Sequence, residues 1–402
     1  MAHVKGKSRL LVIGVHLDSE AYPNTRYRLR DLRASPFFDL SEINVPMWSE
    51  ATQHRNGLSR LGRNAGRMLF AHAAVICRLL FSKKPEQIYI TYPAVFLLFL
   101  LSFLPVNLRS GRVVADAFIS LYDTIVNDRR LLKRDCLPAR LLRKIEGRAY
   151  HFADILIVDT PQNARFLAEF FDLPASKLEV VPLSTDEENF QTVPYIVRAG
   201  VCRVLFVGTM VPLHGIATIL EAASLLSARK DIRFMLLGDG QDGALVESWL
   251  NAQSTTIVWE RQWQSSEKIA RYISESDICL GIFGAGDKTQ RVCPFKIYAY
   301  AGIGRAIITG DTRWSKQVKG DLRWDPFAVV PVNDAKALAT MIAELADKPE
   351  LRSIFAANSR KFYLNSLSNV AALERLSQCL GEFSTGAYAS DGSPAEQNAT
   401  NP

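Results

Sequence analysis

Val204-Leu205-Phe206-Val207-Gly208-Thr209-Met210-Val211-Pro212-Leu213-His214-Gly215 runs directly into Ile216-Ala217-Thr218-Ile219-Leu220-Glu221-Ala222-Ala223-Ser224-Leu225-Leu226. The first part is a short apolar run, the signature of a strand buried on both faces; the second has the 3.6-residue periodicity of a helix. A buried strand, a glycine-bearing loop and a helix make one βα unit. Working outward, the same alternation recurs along the chain. Strands are expected at Arg9–Val15, Gln87–Tyr92, Arg112–Ala117, Ile155–Asp159, Leu178–Pro182, Arg203–Gly208, Arg233–Gly238, Thr256–Glu260, Ile278–Ile282, Ala306–Thr309 and Ala328–Val332. Such a series predicts an α/β protein with two successive doubly wound, Rossmann-like parallel-sheet domains.

The length of 402 residues accommodates two domains, and the composition (48% apolar, 22% charged) excludes disordered and fibrous classes. A polar run, Ser184 to Asn189, followed by Pro194 and Gly200, marks the join. It divides the chain into domains at 1–190 and 191–382, with Pro349 to Leu380 as helices finishing the second and 383–402 as a Ser/Gly/Ala-rich disordered tail. The net charge of +7 is unevenly placed: residues 1–150 carry a surplus of 12 positive charges and 151–402 a deficit of 5. The two halves therefore face different partners.

Six scattered cysteines without a C-x-x-C pair support neither a disulfide framework nor a metal site, and point to a reducing cytoplasm. The apolar run Leu10 to Val15 is too short for a signal peptide and reads as a strand. Ile88 to Leu108 contains no charged residue and is about spanning length, but Pro93 and Pro105 divide it. A buried strand plus a core helix is the expectation there; a membrane-embedded or spanning helix is the alternative.

Three stretches of the second half bear on chemistry. The loop Gly208-Thr209…His214-Gly215 offers backbone N–H groups, a hydroxyl and an imidazole near a helix start, a setting for an anion. Gly238-Asp239-Gly240-Gln241-Asp242-Gly243 is a literal G-x-G-x-x-G with Glu260 about 20 residues on, as a dinucleotide site has, although it follows the second strand of its domain and not the first. Lys288, Arg291 and Lys296 gather positive charge in one loop that enters a helix at Pro294-Phe295.

Taken in order, strand-Gly-x6-Gly-helix, then Leu236-Leu237-Gly238-Asp239-Gly240, then Pro294-x-Lys296-x-Tyr298 with Gly304 beyond, resemble the donor-binding domain of retaining glycosyltransferases of family 4, which have the GT-B fold. Val181-Pro182-Leu183-Ser184-Thr185-Asp186, closed by Phe190, is similar to the segment ending the acceptor domain in that family. The resemblance implies two Rossmann-like domains facing each other across a cleft, and transfer of a sugar from a nucleotide diphosphate donor with retention at the anomeric carbon. It implies no cofactor and no metal. The donor diphosphate is expected on Gly208, Thr209, His214, Gly215, Lys288, Arg291, Pro294, Phe295 and Lys296, and the nucleoside on Gly238 and on Trp259, Glu260 and Arg261, whose aromatic face and hydrogen-bonding groups stand at a strand end. Members commonly carry Arg and Lys where this chain has Thr209 and His214, and two glutamates where it has Arg291 and Ala299. Lys296, Arg291 and Lys288 are expected to replace the first pair, with protonated His214 assisting.

On the acceptor side, Asp116 and Asp123 are candidates to orient or deprotonate an acceptor hydroxyl, with His214 as a third catalytic candidate and Tyr92 and Arg26 nearby. Two basic segments, Arg55–Lys84 and Arg129–Arg148, suit an anionic membrane surface, whereas no nucleic-acid motif is present. The expected activity is hexosyl transfer to a glycan or lipid-linked acceptor in surface polysaccharide or cell-envelope synthesis, in the cytoplasm and peripherally at the inner face of the plasma membrane. The alternatives are a degenerate relative that binds a nucleotide sugar or a partner without turnover, and a dinucleotide-dependent oxidoreductase.

Overall fold

A computed structural model describes residues 7–16, 18–19, 22–47, 61–83, 85–105, 111–197, 200–252 and 257–381. The first half is built from β1 (Ser8–Gly14), α1 (Pro23–Ala34), β2 (Phe38–Asn44), α2 (Leu61–Leu80), β3 (Gln87–Ile90), α3 (Val95–Leu101), β4 (Arg112–Asp116), α4 (Leu137–Phe152), β5 (Ile155–Val158), α5 (Pro161–Phe171) and β6 (Leu178–Val180). The second half continues with β7 (Cys202–Val207), α6 (Ile216–Leu225), β8 (Ile232–Leu237), α7 (Gly243–Ala252), β9 (Ile257–Glu260), α8 (Ser266–Ser274) and β10 (Ile278–Leu280). It ends with α9 (Phe295–Ile303), β11 (Ala306–Gly310), α10 (Arg313–Asp321), β12 (Ala328–Val330), α11 (Ala335–Asp347), α12 (Pro349–Phe362) and α13 (Asn369–Cys379).

The strands form two six-stranded parallel sheets, ordered β2-β1-β3-β4-β5-β6 and β12-β11-β10-β7-β8-β9. Both orders reverse direction beside the first strand of the domain, between β1 and β3 and between β7 and β10. That reversal is where a doubly wound sheet opens a crevice at its carboxyl edge. Each sheet is buried on both faces. Leu11, Ile13, Ile88 and Ile90 point to the layer of α2 to α5, and Leu10, Val12 and Tyr89 to α1 and α13.

Each expected strand has a counterpart, and one further strand, β2, went unanticipated. Its sequence, Phe-Asp-Leu-Ser-Glu-Ile-Asn, is half polar because it is an edge strand that pairs with β1 alone. The expected core helix after β3 is α3, whose Val95, Leu97, Leu98 and Leu101 are buried. Among the described residues no helix is long and apolar enough to cross a membrane.

The expected domain join lies in the segment between β6 and β7. The C-terminal helix corrects the expected division. α13 does not finish the second domain; its Ala372, Leu376 and Cys379 pack among Leu29, Leu32 and Phe38 of the first. Arg112 also donates to the Cys379 carbonyl at 2.9 Å. The tail expected over 383–402 lies outside the described residues, as do residues 55–60 and Lys84 of the first basic segment.

Candidate active site

A cavity of about 320 Å³ lies at the carboxyl edge of the second sheet, beside the β7–β10 reversal. Pro23, Asp186 and Phe190 reach it from the first half of the chain and the connecting segment. The other walls are loops 207–209 and 237–239, residues 262–264, α8 and the start of α9.

Part of the wall is cationic. Gly208 has φ +146, and a Cβ there would stand 3.1 Å from Lys296 Nζ and 3.4 Å from His214 Cε1. Glycine at this position therefore leaves the space in which the loop, the ammonium and the imidazole converge. Lys296 is 7% exposed, and its Nζ has no hydrogen-bond partner among the described residues. The ammonium sits 3.7 Å from the centroid of the Phe206 ring, a cation–π contact. Burial pushes its pKa well below the ordinary 10.5. A buried, unpaired ammonium is costly unless something anionic completes it.

His214 lies beside it, edge-on to Phe206, with Nδ1 unpartnered among the described residues. Burial, and then the charge of Lys296, lower its pKa well below 6.5. The imidazole is neutral at physiological pH, which corrects the expectation that it adds positive charge; it serves as a hydrogen-bonding group.

The wall is also aromatic and amide-bearing, with Gln262, Trp263 and Gln264 on it and Trp263 64% exposed. The wall also carries the apolar Ile269 and Ile273 from successive turns of α8 and Ala299 from α9, beside the polar Asp186, Asp239, Ser266 and Tyr300.

The family model described as "Glycosyl transferases group 1" matches residues 202–348, which span these loops. This segment is a group 1 glycosyltransferase domain. No curated protein sequence matches the chain. Sucrose-phosphate synthase of Thermosynechococcus elongatus superposes with a TM-score of 0.68 at 15% identity, covering 93% of this chain and 98% of that one. HepE of Anabaena in complex with UDP superposes at 0.62 and 11% identity, over 94% and 100%. A structure titled trehalose-6-phosphate from E. coli, bound with UDP-2-fluoro glucose, superposes at 0.63 and 12%, over 94% and 100%. These likenesses give the fold, GT-B.

Within the glycosyltransferase domain, Gly208, Thr209, His214, Pro294, Phe295, Lys296 and Gly238 all line the cavity. Gly215 does not. It caps α6, and a Cβ on it would meet the Gly284 nitrogen at 2.6 Å, so it serves the packing of two loops.

Lys288 and Arg291 depart from expectation most. They point to the first domain instead of the cavity. Arg291 Nη2 is 2.9 Å from Asp123 Oδ1 and Nη1 is 3.0 Å from Asn163 Oδ1, with the guanidinium over the Phe166 ring. Lys288 donates to Thr124 Oγ1 at 2.9 Å and lies 3.7 Å from Asp128. Their charge is neutralised across the domain interface and is not available to a diphosphate.

The same contacts correct the acid–base candidates. Asp123 is 3% exposed and holds Arg291 and Asn127. Asp116 lies beneath the cleft in a closed set: Arg28 Nη1 at 2.7 Å, the Tyr89 hydroxyl at 2.9 Å and the Tyr92 N–H at 3.2 Å. Neither carboxylate borders the cavity. Tyr92 packs against Phe118 and Tyr22, and Arg26 lies 3.5 Å from Asp18; neither reaches the cavity.

Of the residues expected at the nucleoside, Gly238 lines the cavity and Trp259, Glu260 and Arg261 do not. Trp259 donates through Nε1 to the Gly238 carbonyl, the Glu260 carbonyl accepts from Gly238 N–H, and Arg261 pairs with Asp239 at 2.8 Å. They support the 238–239 loop from behind, and Gln262 to Gln264 face the cavity instead. The carboxyl end of β9 is the signal that locates these three.

The G-x-G-x-x-G is structural too. A Cβ on Gly238 would meet the Gly208 carbonyl oxygen at 2.4 Å, and one on Gly240 the Met210 carbonyl at 2.6 Å. The glycines let two loops touch, and leave no cradle for a dinucleotide pyrophosphate. The oxidoreductase alternative falls with it.

Proposed function

We propose that this protein transfers a hexosyl group from a nucleotide diphosphate sugar, with retention, to a glycan or lipid-linked acceptor. Lys296 carries the reading: it is a buried ammonium without a partner, aimed into a cavity that a glycine keeps open. When the bond from the anomeric carbon to the phosphate oxygen breaks, its electron pair departs on the diphosphate. The fixed positive charge of Lys296, the Thr209 hydroxyl and the loop N–H groups stabilise that leaving group in a low-dielectric site. Trp263 and its flanking glutamines suit the base by stacking and amide hydrogen bonds.

The acceptor is assigned to the first domain, which carries the positive surplus. On its outer layer α3 packs between α2 and α4. Phe70, Phe81, Phe103, Leu137 and Leu141 are exposed there among Arg67, Arg78, Arg140, Arg143 and Lys144. Apolar side chains set among cations suit an anionic bilayer, which would bring the enzyme to a lipid-linked acceptor at the inner face of the plasma membrane in envelope glycan synthesis.

Two observations favour binding without turnover as the second reading. Ala299 stands on the cavity wall, and no described carboxylate is free within it. Calorimetry with UDP, GDP and NAD tests the nucleotide site: binding of a nucleoside diphosphate but not of NAD is expected, and binding of none refutes both readings. Release of diphosphate from UDP-glucose or GDP-mannose in the presence of membrane extract then separates enzyme from binder.

A further inference from the structure

Lys296 carries a reactivity that the donor reading does not use. It lines the cavity, and its Nζ has no hydrogen-bond partner among the described residues. The nitrogen stands 3.7 Å from the centroid of the Phe206 ring, and a Cβ on Gly208 would stand 3.1 Å from it, so the glycine keeps that side open. Burial holds its pKa well below the ordinary 10.5, which gives it a larger share of free amine than an ordinary lysine has. Desolvation of this kind is what turns a lysine into a nucleophile.

Lys288 shows that burial alone is not sufficient. Burial lowers its pKa as well, but its Nζ donates to Thr124 Oγ1 at 2.9 Å and lies 3.7 Å from Asp128, and the residue does not line the cavity. Lys296 combines an unengaged nitrogen with a space of about 320 Å³ beside it. An anion entering that space returns the amine to its charged, unreactive form; an uncharged carbonyl compound leaves it free. Phe295 on the same wall offers a short alkyl chain an apolar contact.

We propose that the nucleotide-free protein captures short uncharged aldehydes on Lys296 as a Schiff base. The Nζ lone pair attacks the carbonyl carbon and the carbon–oxygen double bond opens. The oxygen then departs as water with the two protons of the amine, leaving a carbon–nitrogen double bond. No oxidant or reductant takes part. Exclusion by nucleotide rests on the donor reading above, whereas the capture does not: a bound diphosphate holds Lys296 as an ammonium, which has no lone pair to give.

The experiment incubates the full chain with butanal and sodium cyanoborohydride, which fixes the Schiff base as a secondary amine, and follows each lysine by peptide mass spectrometry. Lys296 is expected to react at least about tenfold faster than the exposed Lys133 and Lys336, and than Lys288. A smaller ratio overturns the proposal and leaves the donor reading standing. In urea the advantage should disappear; if it persists, local sequence and not the cavity creates it, and the proposal fails. UDP or GDP, whichever binds, should slow the labelling of Lys296 at least about tenfold and leave Lys133 unaffected. Undiminished labelling with nucleotide bound overturns the exclusion and takes Lys296 out of the diphosphate site. If neither nucleotide binds, the donor reading fails and the labelling ratio alone decides the capture.

Discussion

Arg291 and Asp123 stand 2.9 Å apart across the two domains, both with side chains at most 4% exposed. The pair fastens the loop that leads into Pro294-Phe295-Lys296 to the first domain, and Thr160 Oγ1 donates to the Arg291 carbonyl at 2.6 Å beside it. Asp123→Ala leaves a buried guanidinium without its main counter-charge, and should destabilise the protein by about 3 kcal/mol. Denaturant unfolding measures the loss. Asp123→Asn, which keeps an acceptor, should cost less, and unfolding equal to wild type for both would show that the interface does not depend on this pair.

Lys296→Met is expected to have opposite effects on stability and binding. Replacing a buried, unpaired ammonium with an apolar chain of similar length should raise the stability of the unliganded protein by about 1 kcal/mol. It should weaken nucleoside diphosphate binding at least tenfold. A thermal melt and a titration on the same preparation check both signs; unchanged affinity removes Lys296 from the donor site.

The pH dependence of binding follows from the same group. Because the folded-state pKa of Lys296 lies below 10.5, its destabilisation is full below that depressed value and is relieved as the pH rises toward 10.5. A bound diphosphate restores the charged form. Above the depressed pKa, binding should take up a proton and affinity should fall with rising pH. Titrations in buffers of different ionisation enthalpy read the proton directly, and Lys296→Met should abolish the uptake.

Asp159 gives a second, independent pH effect. Burial pushes its pKa from 3.8 to about 6, against the hydrogen bond from Asn163. The folded chain therefore holds a proton that the unfolded chain has lost between those values, and stability falls as the pH rises through that window. Asp159→Asn should be more stable than wild type by about 1–2 kcal/mol at pH 7, with the gain gone below pH 4. Unfolding curves at pH 4 and 7 are the check.

The outer layer of the first domain should bind vesicles containing phosphatidylglycerol. Phe70→Ser with Phe81→Ser should lower that affinity, and salt should weaken the residual binding as it screens the arginines. Co-sedimentation measures both. Retention of the double variant on vesicles at high salt would assign binding to another surface.

Legibility differed between fold and site for physical reasons. The buried strands were readable because a parallel strand covered on both faces must be apolar throughout, as Leu205, Phe206 and Val207 are, and β2 escaped because an edge position relaxes that demand. Gly208 and Lys296 were readable because a glycine after a strand and a lysine after a helix-starting proline have few other uses. Lys288 and Arg291 look the same in sequence as Lys296, yet their charge is spent on Asp128 and Asp123.

What the sequence by itself determined is the alternation of buried strands and helices, and the glycine and lysine loops that line the cavity, since each depends on residues close along the chain. Tertiary structure alone decided which charges are free. Asp123 and Arg291 are 168 residues apart, and Arg28 and Asp116 are 88 apart. Whether a charge faces a ligand or a counter-charge depends on what the fold sets opposite it, and local sequence carries no record of that partner.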